Sequence, residues 1–215
     1  MDAIVYILSR LWPPLCAVIL TQVVAQKLIE IRKPRLEMIP EGCRPGSWRT
    51  LDGSSLSTYH MWRITVRHIK IPWYLAWLIR SRESALQCKA DLAFSADIGR
   101  APFTMQGRWA NSPEISLISP THQQERIIYP ETIGIAYHSP QQLDCIVQFD
   151  GENVAYGWNN EAYAALGRTP GYQLQAGVYK VAVRLFGQNF QPISAKFDIK
   201  VAGNWNGTSL DAARI

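Results

Sequence analysis

Charge is scarce in this chain of 215 residues: Asp, Glu, Lys and Arg make up 18% of it, where an average soluble domain has about 25%. Hydrophobic residues account for 47%, so part of the molecule is built to avoid water. Metal-ligand spacing is missing too. The four cysteines, Cys16, Cys43, Cys88 and Cys145, form no Cys-x-x-Cys pair, and the four histidines, His60, His68, His122 and His138, form no His-x-x-His or His-Glu-x-x-His. A zinc site therefore has no support. There is no Gly-rich phosphate loop and no Gly-x-Ser-x-Gly, which removes the nucleotide-binding and serine-hydrolase readings those motifs carry. No cofactor and no metal are expected, and no catalytic residue set stands out. The net charge of +5 is spread along the chain rather than clustered, which argues against nucleic acid as a partner.

One long hydrophobic run is present. Ile4–Val24, IVYILSRLWPPLCAVILTQVV, has about the 20 residues a helix needs to cross a hydrocarbon core, and Arg10 is its one charge. Lys27, Arg32, Lys33 and Arg35 follow, and cations flanking a span favour the cytoplasmic side. The expectation is a single-pass membrane protein, with a transmembrane helix over residues 1–30 and the larger C-terminal part in the cytoplasm. Arg10 snorkels to the interface or meets another membrane subunit. With Trp12, Lys27, Arg32, Lys33 and Arg35 it makes up the membrane-contact set of this segment. Two alternatives stand beside this one. A cleaved signal peptide would carry its positive charge before the apolar run, where this chain has Met1 and Asp2 and no cation. An interfacial or re-entrant helix is motivated by Arg10 and by Pro13-Pro14, which removes two backbone donors and kinks a helix.

Pro40, Gly42, Pro45 and Gly46 punctuate residues 31–47, which read as a linker. Beyond it, apolar and polar residues alternate. His60, Trp62, Ile64 and Val66 face one way against Met61, Arg63, Thr65 and Arg67, and Leu86, Cys88, Ala90, Leu92 and Phe94 repeat the pattern. Further strands are expected over 103–109, 126–136, 143–149, 178–186 and 193–201. Short strands separated by Pro, Gly and Asn turns predict an all-β, antiparallel β-sandwich over residues 48–203, followed by a flexible tail over 204–215. Trp62, Trp109 and Tyr179 are its expected core. Cys88 and Cys145 read as small buried hydrophobes, with an inter-sheet disulfide as the alternative in an extracellular setting.

Five stretches stand out: HMWRITVRH at 60–68, ALQCKADL at 85–92, Gly107-Arg108-Trp109, Leu143-Asp144, and LQAGVYKV at 174–181, which has the form L-x-x-G-x-Y-x-V. Taken together they resemble the immunoglobulin-like sandwich domains of single-span, membrane-anchored prokaryotic proteins, in which the last motif is a common strand entry. The resemblance implies an immunoglobulin-like architecture preceded by one transmembrane helix. It implies no activity, because one fold hosts many. The Cys-Trp-Cys pattern of antibody domains is not evident.

Ile71–Ile79, IPWYLAWLI, departs from the strand pattern, with Lys70 before it and Arg80 and Arg82 after it. Trp73, Tyr74 and Trp77 suit a headgroup region, where an indole buries its ring and keeps its N–H wet. A short helix covering one end of the sandwich explains the same letters. In FDGEN, Asp150 and Glu152 suggest paired carboxylates or a calcium loop, but a hairpin turn on Asp150-Gly151 needs fewer assumptions. Asn159-Asn160 reads as a helix cap. The expected function is a non-enzymatic, membrane-tethered interaction or scaffolding module whose partners are membrane lipids and a protein. An accessory subunit of a larger membrane complex is one alternative. An enzyme whose site is assembled from scattered residues such as His60, Asp144 and Glu152 is another.

Overall fold

The period-two apolar pattern sorts the chain onto two antiparallel sheets that share one core. The computed structural model describes residues 2–49, 55–96, 101–111, 132–164 and 167–213. In chain order the elements are α1 (Asp2–Arg32), β1 (Leu36–Arg49), β2 (Ser55–His68), β3 (Ala85–Ala96), β4 (Phe103–Gln106), β5 (Arg108–Trp109), β6 (Ile133–Ile135), β7 (Gln141–Phe149), β8 (Val154–Gly157), α2 (Asn160–Ala164), β9 (Gln173–Gln175), β10 (Gly177–Phe186), β11 (Ile193–Val201) and β12 (Ser209–Ala212). The first sheet runs β1-β2-β7-β8-β9, with β5 also on β7. The second runs β12-β11-β10-β3-β4, with β6 also on β3. The chain is therefore an all-β sandwich carrying an N-terminal helix.

Trp62, Ile64 and Val66 of β2 and Tyr179, Val181, Val183 and Leu185 of β10 point into the space between the sheets, with Phe94, Trp109 and Phe197. Trp62, Trp109 and Tyr179 are buried there as expected. Cys88 and Cys145 are fully buried free thiols. A second apolar cluster, Met61, Val147, Phe149, Val154, Tyr156 and Trp158, lies on the outer face of the first sheet. Arg168 covers it, its guanidinium 3.9 Å from the Phe149 ring centre.

Three expectations change. Residues 36–47, read as linker, belong to β1, which pairs with β2 from Leu36↔His68 to Arg49↔Ser55. Pro40 and Pro45 are tolerated because β1 is an edge strand, and the ladder skips Gly42 and Cys43 at a bulge between Glu41 and Arg44. The stretch read as tail holds a 3-10 turn at Trp205–Gly207 and then β12, paired with β11. The stretch 103–109 is two strands on different sheets. Gly107 lets the chain cross the core between them, since a Cβ there would lie 2.7 Å from both Leu143 and Leu92. Of the strand expected at 126–136, residues 126–131 lie outside the described ones and Ile133–Ile135 forms β6.

The helix α1 has 31 residues and ends where buried Pro34 stops it. Every residue from Cys16 to Lys27 is exposed, so this part is covered by nothing among the described residues. Among the described residues, no helix is long and apolar enough to cross a membrane. The side chains of Arg10 and Trp12 lie outside the described ones.

Trp109 is fully buried between the sheets, and no neighbour can fill the space of an indole. Trp109→Ala is expected to cost about 3–5 kcal/mol, read as a drop in the urea midpoint of the detergent-solubilised chain.

Candidate functional site

Two places gather side chains whose arrangement is not explained by packing alone, one at an end of the β1–β2 ladder and one near its middle. The first is at the Leu36↔His68 end, where α1 meets the sandwich. The connection from β2 to β3 folds back there as a tight turn over 72–79, built on a 3-10 helix at Trp73–Leu75 and closed by Ile79 N–H donating to Leu75 O at 2.9 Å. Only Ile79 of this stretch is buried. Trp73 is 87% and Trp77 80% exposed, with Tyr74 and Leu78 exposed beside them. The aromatics therefore do not cover the sandwich.

Arg82, which follows those aromatics in the sequence, is buried. Its Nε donates to Ile69 O at 3.3 Å, and its Nη1 donates to Ile31 O in the last turn of α1. Glu83 N–H donates to Arg32 O at 2.8 Å and Ile69 N–H to Arg35 O at 2.8 Å. The aromatic turn and the helix end are thus clamped together, and a guanidinium at the negative end of the helix dipole suits that place. Lys33, Arg32, Arg35, Lys70 and Arg80 remain exposed around the clamp, and Lys27 pairs with Glu30 one turn back. Beneath it, His68 is buried with its Nε2 2.9 Å from Ile135 O and its ring edge-on to Tyr137. Tyr137 Oη in turn accepts from Ile71 N–H at 3.0 Å.

The second place lies at the far half of the ladder. The β1 bulge turns Cys43 toward the inner face of β2, where its Sγ is 3.6 Å from His60 Nδ1. His60 Nε2 is 2.9 Å from Asp150 Oδ1, and Asp150 accepts a second hydrogen bond from Thr58 Oγ1. With Nε2–H donating to the carboxylate, Nδ1 is left as the acceptor for the thiol proton. Trp205 stacks flat on the imidazole, 3.8 Å between ring centres and 9° from parallel. Next to His60 across the ladder, buried Gln148 bridges the sheets: its Nε2 donates to Ala202 O at 3.1 Å, and Thr208 Oγ1 donates to its Oε1 at 2.7 Å. Cys43 is exposed, as is the Asp150 side chain at 44%, whereas that of His60 is 11% exposed. Burial pushes the Cys43 thiol up, against a hydrogen bond from the Met61 backbone that pulls it down.

The other residues singled out from sequence have structural work. Asp144 is wholly buried between Arg63 and Arg108, each 2.7 Å away, and Glu152 pairs with Arg168 at 2.7 Å. Asp150-Gly151 makes the β7–β8 hairpin turn, with Gly151 at φ +80°, and Asn159 Oδ1 caps α2 by accepting from Ala162 N–H at 2.7 Å. His60 is thus brought to Asp150 and Cys43, a trio that sequence spacing hides because its members are 17 and 90 residues apart. Only the registers Pro45↔His60 and Tyr59↔Phe149 make it visible. Among the described residues, no group of three or more His, Cys, Asp and Glu is placed to hold a metal ion. No protein-family model, curated protein or solved structure matches the chain.

Burial lowers the His68 pKa below the usual 6.5, opposed by its hydrogen bond to Ile135 O and assisted by the charge of Arg82. The unfolded chain therefore binds this proton at a higher pH than the folded one. The contribution of neutral His68 is present above about 6.5 and is lost as pH falls through its folded value. Urea midpoints measured between about pH 7 and pH 5 should fall less in His68→Gln than in the parent chain.

Proposed function

We propose that the chain is a membrane-tethered interaction module: α1 inserts in the bilayer, the turn at 72–79 lies in the headgroup layer, and the sandwich presents its far end to a protein partner. The observation that carries this reading is the pair Trp73 and Trp77, 87% and 80% exposed, clamped by Arg82 to the basic end of α1. Two indoles left in water at that place have no role in folding, whereas they suit an interface that takes an apolar ring and leaves its N–H wet. The apolar residues Val18, Ile19, Leu20, Val23 and Val24 are exposed around more than one face of α1, and a helix apolar all round belongs in lipid or in another protein's core. The apolar sequence extends back to Ile4, which supplies the length of a span. Cations on the sandwich side of that run support a cytoplasmic sandwich by the positive-inside bias.

The tether is tested on a chain shortened to residues 27–215, which keeps β1 whole and retains the Ile31 and Arg32 carbonyls that hold Arg82 and Glu83. It should float with anionic vesicles at low salt and be released at high salt, since each cation contributes about 1 kcal/mol beside an anionic leaflet and salt screens it. Trp73→Ala with Trp77→Ala should abolish flotation and leave the circular dichroism unchanged. Flotation that ignores both salt and the double variant would sink the idea.

Orientation is tested separately. In intact cells a membrane-impermeant maleimide should leave exposed Cys43 unlabelled until the membrane is permeabilised. Labelling before permeabilisation would place the sandwich on the opposite side.

A further inference from the structure

The trio at the β1 bulge goes beyond a tether. We propose that Cys43 is a base-assisted nucleophile that accepts an acyl group from a thioester or comparably activated ester, with His60 as the proton carrier and Asp150 as the residue that positions His60. The geometry has the parts such a step needs. A thiol faces one imidazole nitrogen at 3.6 Å, and the opposite nitrogen is held by a carboxylate at 2.9 Å. That order fixes which nitrogen is free to take the thiol proton and keeps the ring in place once it is charged. A packing histidine would need no such alignment. Trp205 holds the ring plane, and the Gln148–Thr208–Ala202 network fixes the strand behind it.

The resting sulfur is a thiol rather than a thiolate, because burial raises its pKa. A base at the moment of attack therefore matters here more than for a cysteine that is already ionised. In the first step Sγ attacks the carbonyl carbon and the S–H proton passes to His60 Nδ1. The bond from carbon to the leaving group then breaks, and that group departs as a thiol or alcohol after taking the same proton back from His60. The products are S-acyl-Cys43 and the free leaving group, with no oxidant or reductant consumed. Disulfide chemistry is a poorer fit. Among the chain's cysteines, Cys88 and Cys145 are wholly buried and Cys16 lies on α1, so no second thiol stands near Cys43 to resolve a mixed disulfide. The bulge that aims Cys43 lies roughly 20–25 Å along the ladder from the start of β1, so an acyl carrier in solution reaches it.

The test uses the full chain in detergent, with Cys16→Ser to remove the other exposed thiol, and p-nitrophenyl acetate as the acyl donor. One equivalent of p-nitrophenol should be released in a burst, and peptide mapping should place a single acetyl group on Cys43. His60→Gln should slow the burst about a hundredfold or more. Asp150→Ala should slow it as well, and Asp150→Glu should restore much of the rate, a rescue that a merely structural carboxylate would not show in the burst. Because Asp150 is half exposed, its variants keep the test decisive should His60→Gln unfold the sandwich. Acetylation elsewhere than Cys43, a His60→Gln variant of unchanged melting temperature and unchanged rate, or equal rates in the Asp150→Ala and Asp150→Glu variants would each overturn the assignment. The reaction is read in solution, so its failure leaves the vesicle result untouched.

Discussion

The pairing of β1 with β2 is the constraint on which both ends of this molecule depend. It runs without a long break from Leu36↔His68 to Arg49↔Ser55, and its start and its middle face different tasks. At the start Ile69 N–H closes onto Arg35 O, which carries the chain straight into the Arg82 clamp on α1. In the middle, the bulge at Gly42 and Cys43 breaks the period of two once and sends a thiol to the inner face beside His60. A strand without that extra residue would have kept Cys43 in step with Glu41, on the outer face.

The ladder tolerates prolines because β1 is an edge strand, and the outer face beside that edge is charged. On the outer face Glu41 accepts from Thr65, Gln142 and Arg44, while Arg63 reaches from the same face to Gln142 and Asp144. Charged side chains along an edge discourage another chain from adding a strand. The buried centre of this group is Asp144 between two guanidinium groups. Such an arrangement is a weak source of net stability, because desolvating the three charges offsets most of their attraction. Its larger effect is on pairing: Arg63↔Asp144 and Arg108↔Asp144 tie β2, β7 and β5 in one register, and a slipped register would leave a carboxylate buried without a cation.

Much of the sandwich was legible in the sequence because it rests on alternation. β2, β3, β7, β10 and β11 fall where apolar residues recur every second position, and Trp62, Trp109 and Tyr179 occupy the core. What escaped were elements whose signal is tertiary. β1 reads as linker because its prolines and glycines are loop residues by composition, and only the partner β2 makes a strand of them. β12 has four residues, too few for a period to show. Arg82 looks like one more surface cation until the carbonyl oxygens of Ile31 and Ile69 are placed around it. The Cys43–His60–Asp150 trio was hidden for the same reason. Each member sits in a local context that explains it, a bulge, a strand face and a hairpin turn, and the chemistry exists only in their juxtaposition.

The difference between a linker and a strand at residues 36–47 also decides what kind of tether this is. A flexible linker of that length would spread the sandwich over an r.m.s. reach of about 20 Å, and the aromatic turn would meet a bilayer by chance. As built, β1 begins four residues after α1 ends, buried Pro34 stiffens the junction, and Arg82 holds the last turn of the helix. In the proposed tether the helix end and the aromatic turn then reach the interface together, and the second contact costs little further ordering, because the clamp has already fixed it beside the first. The same rigidity keeps Cys43 about 20 Å or more from the helix end, at one height. A mobile linker would hold a thiol at no fixed place relative to His60.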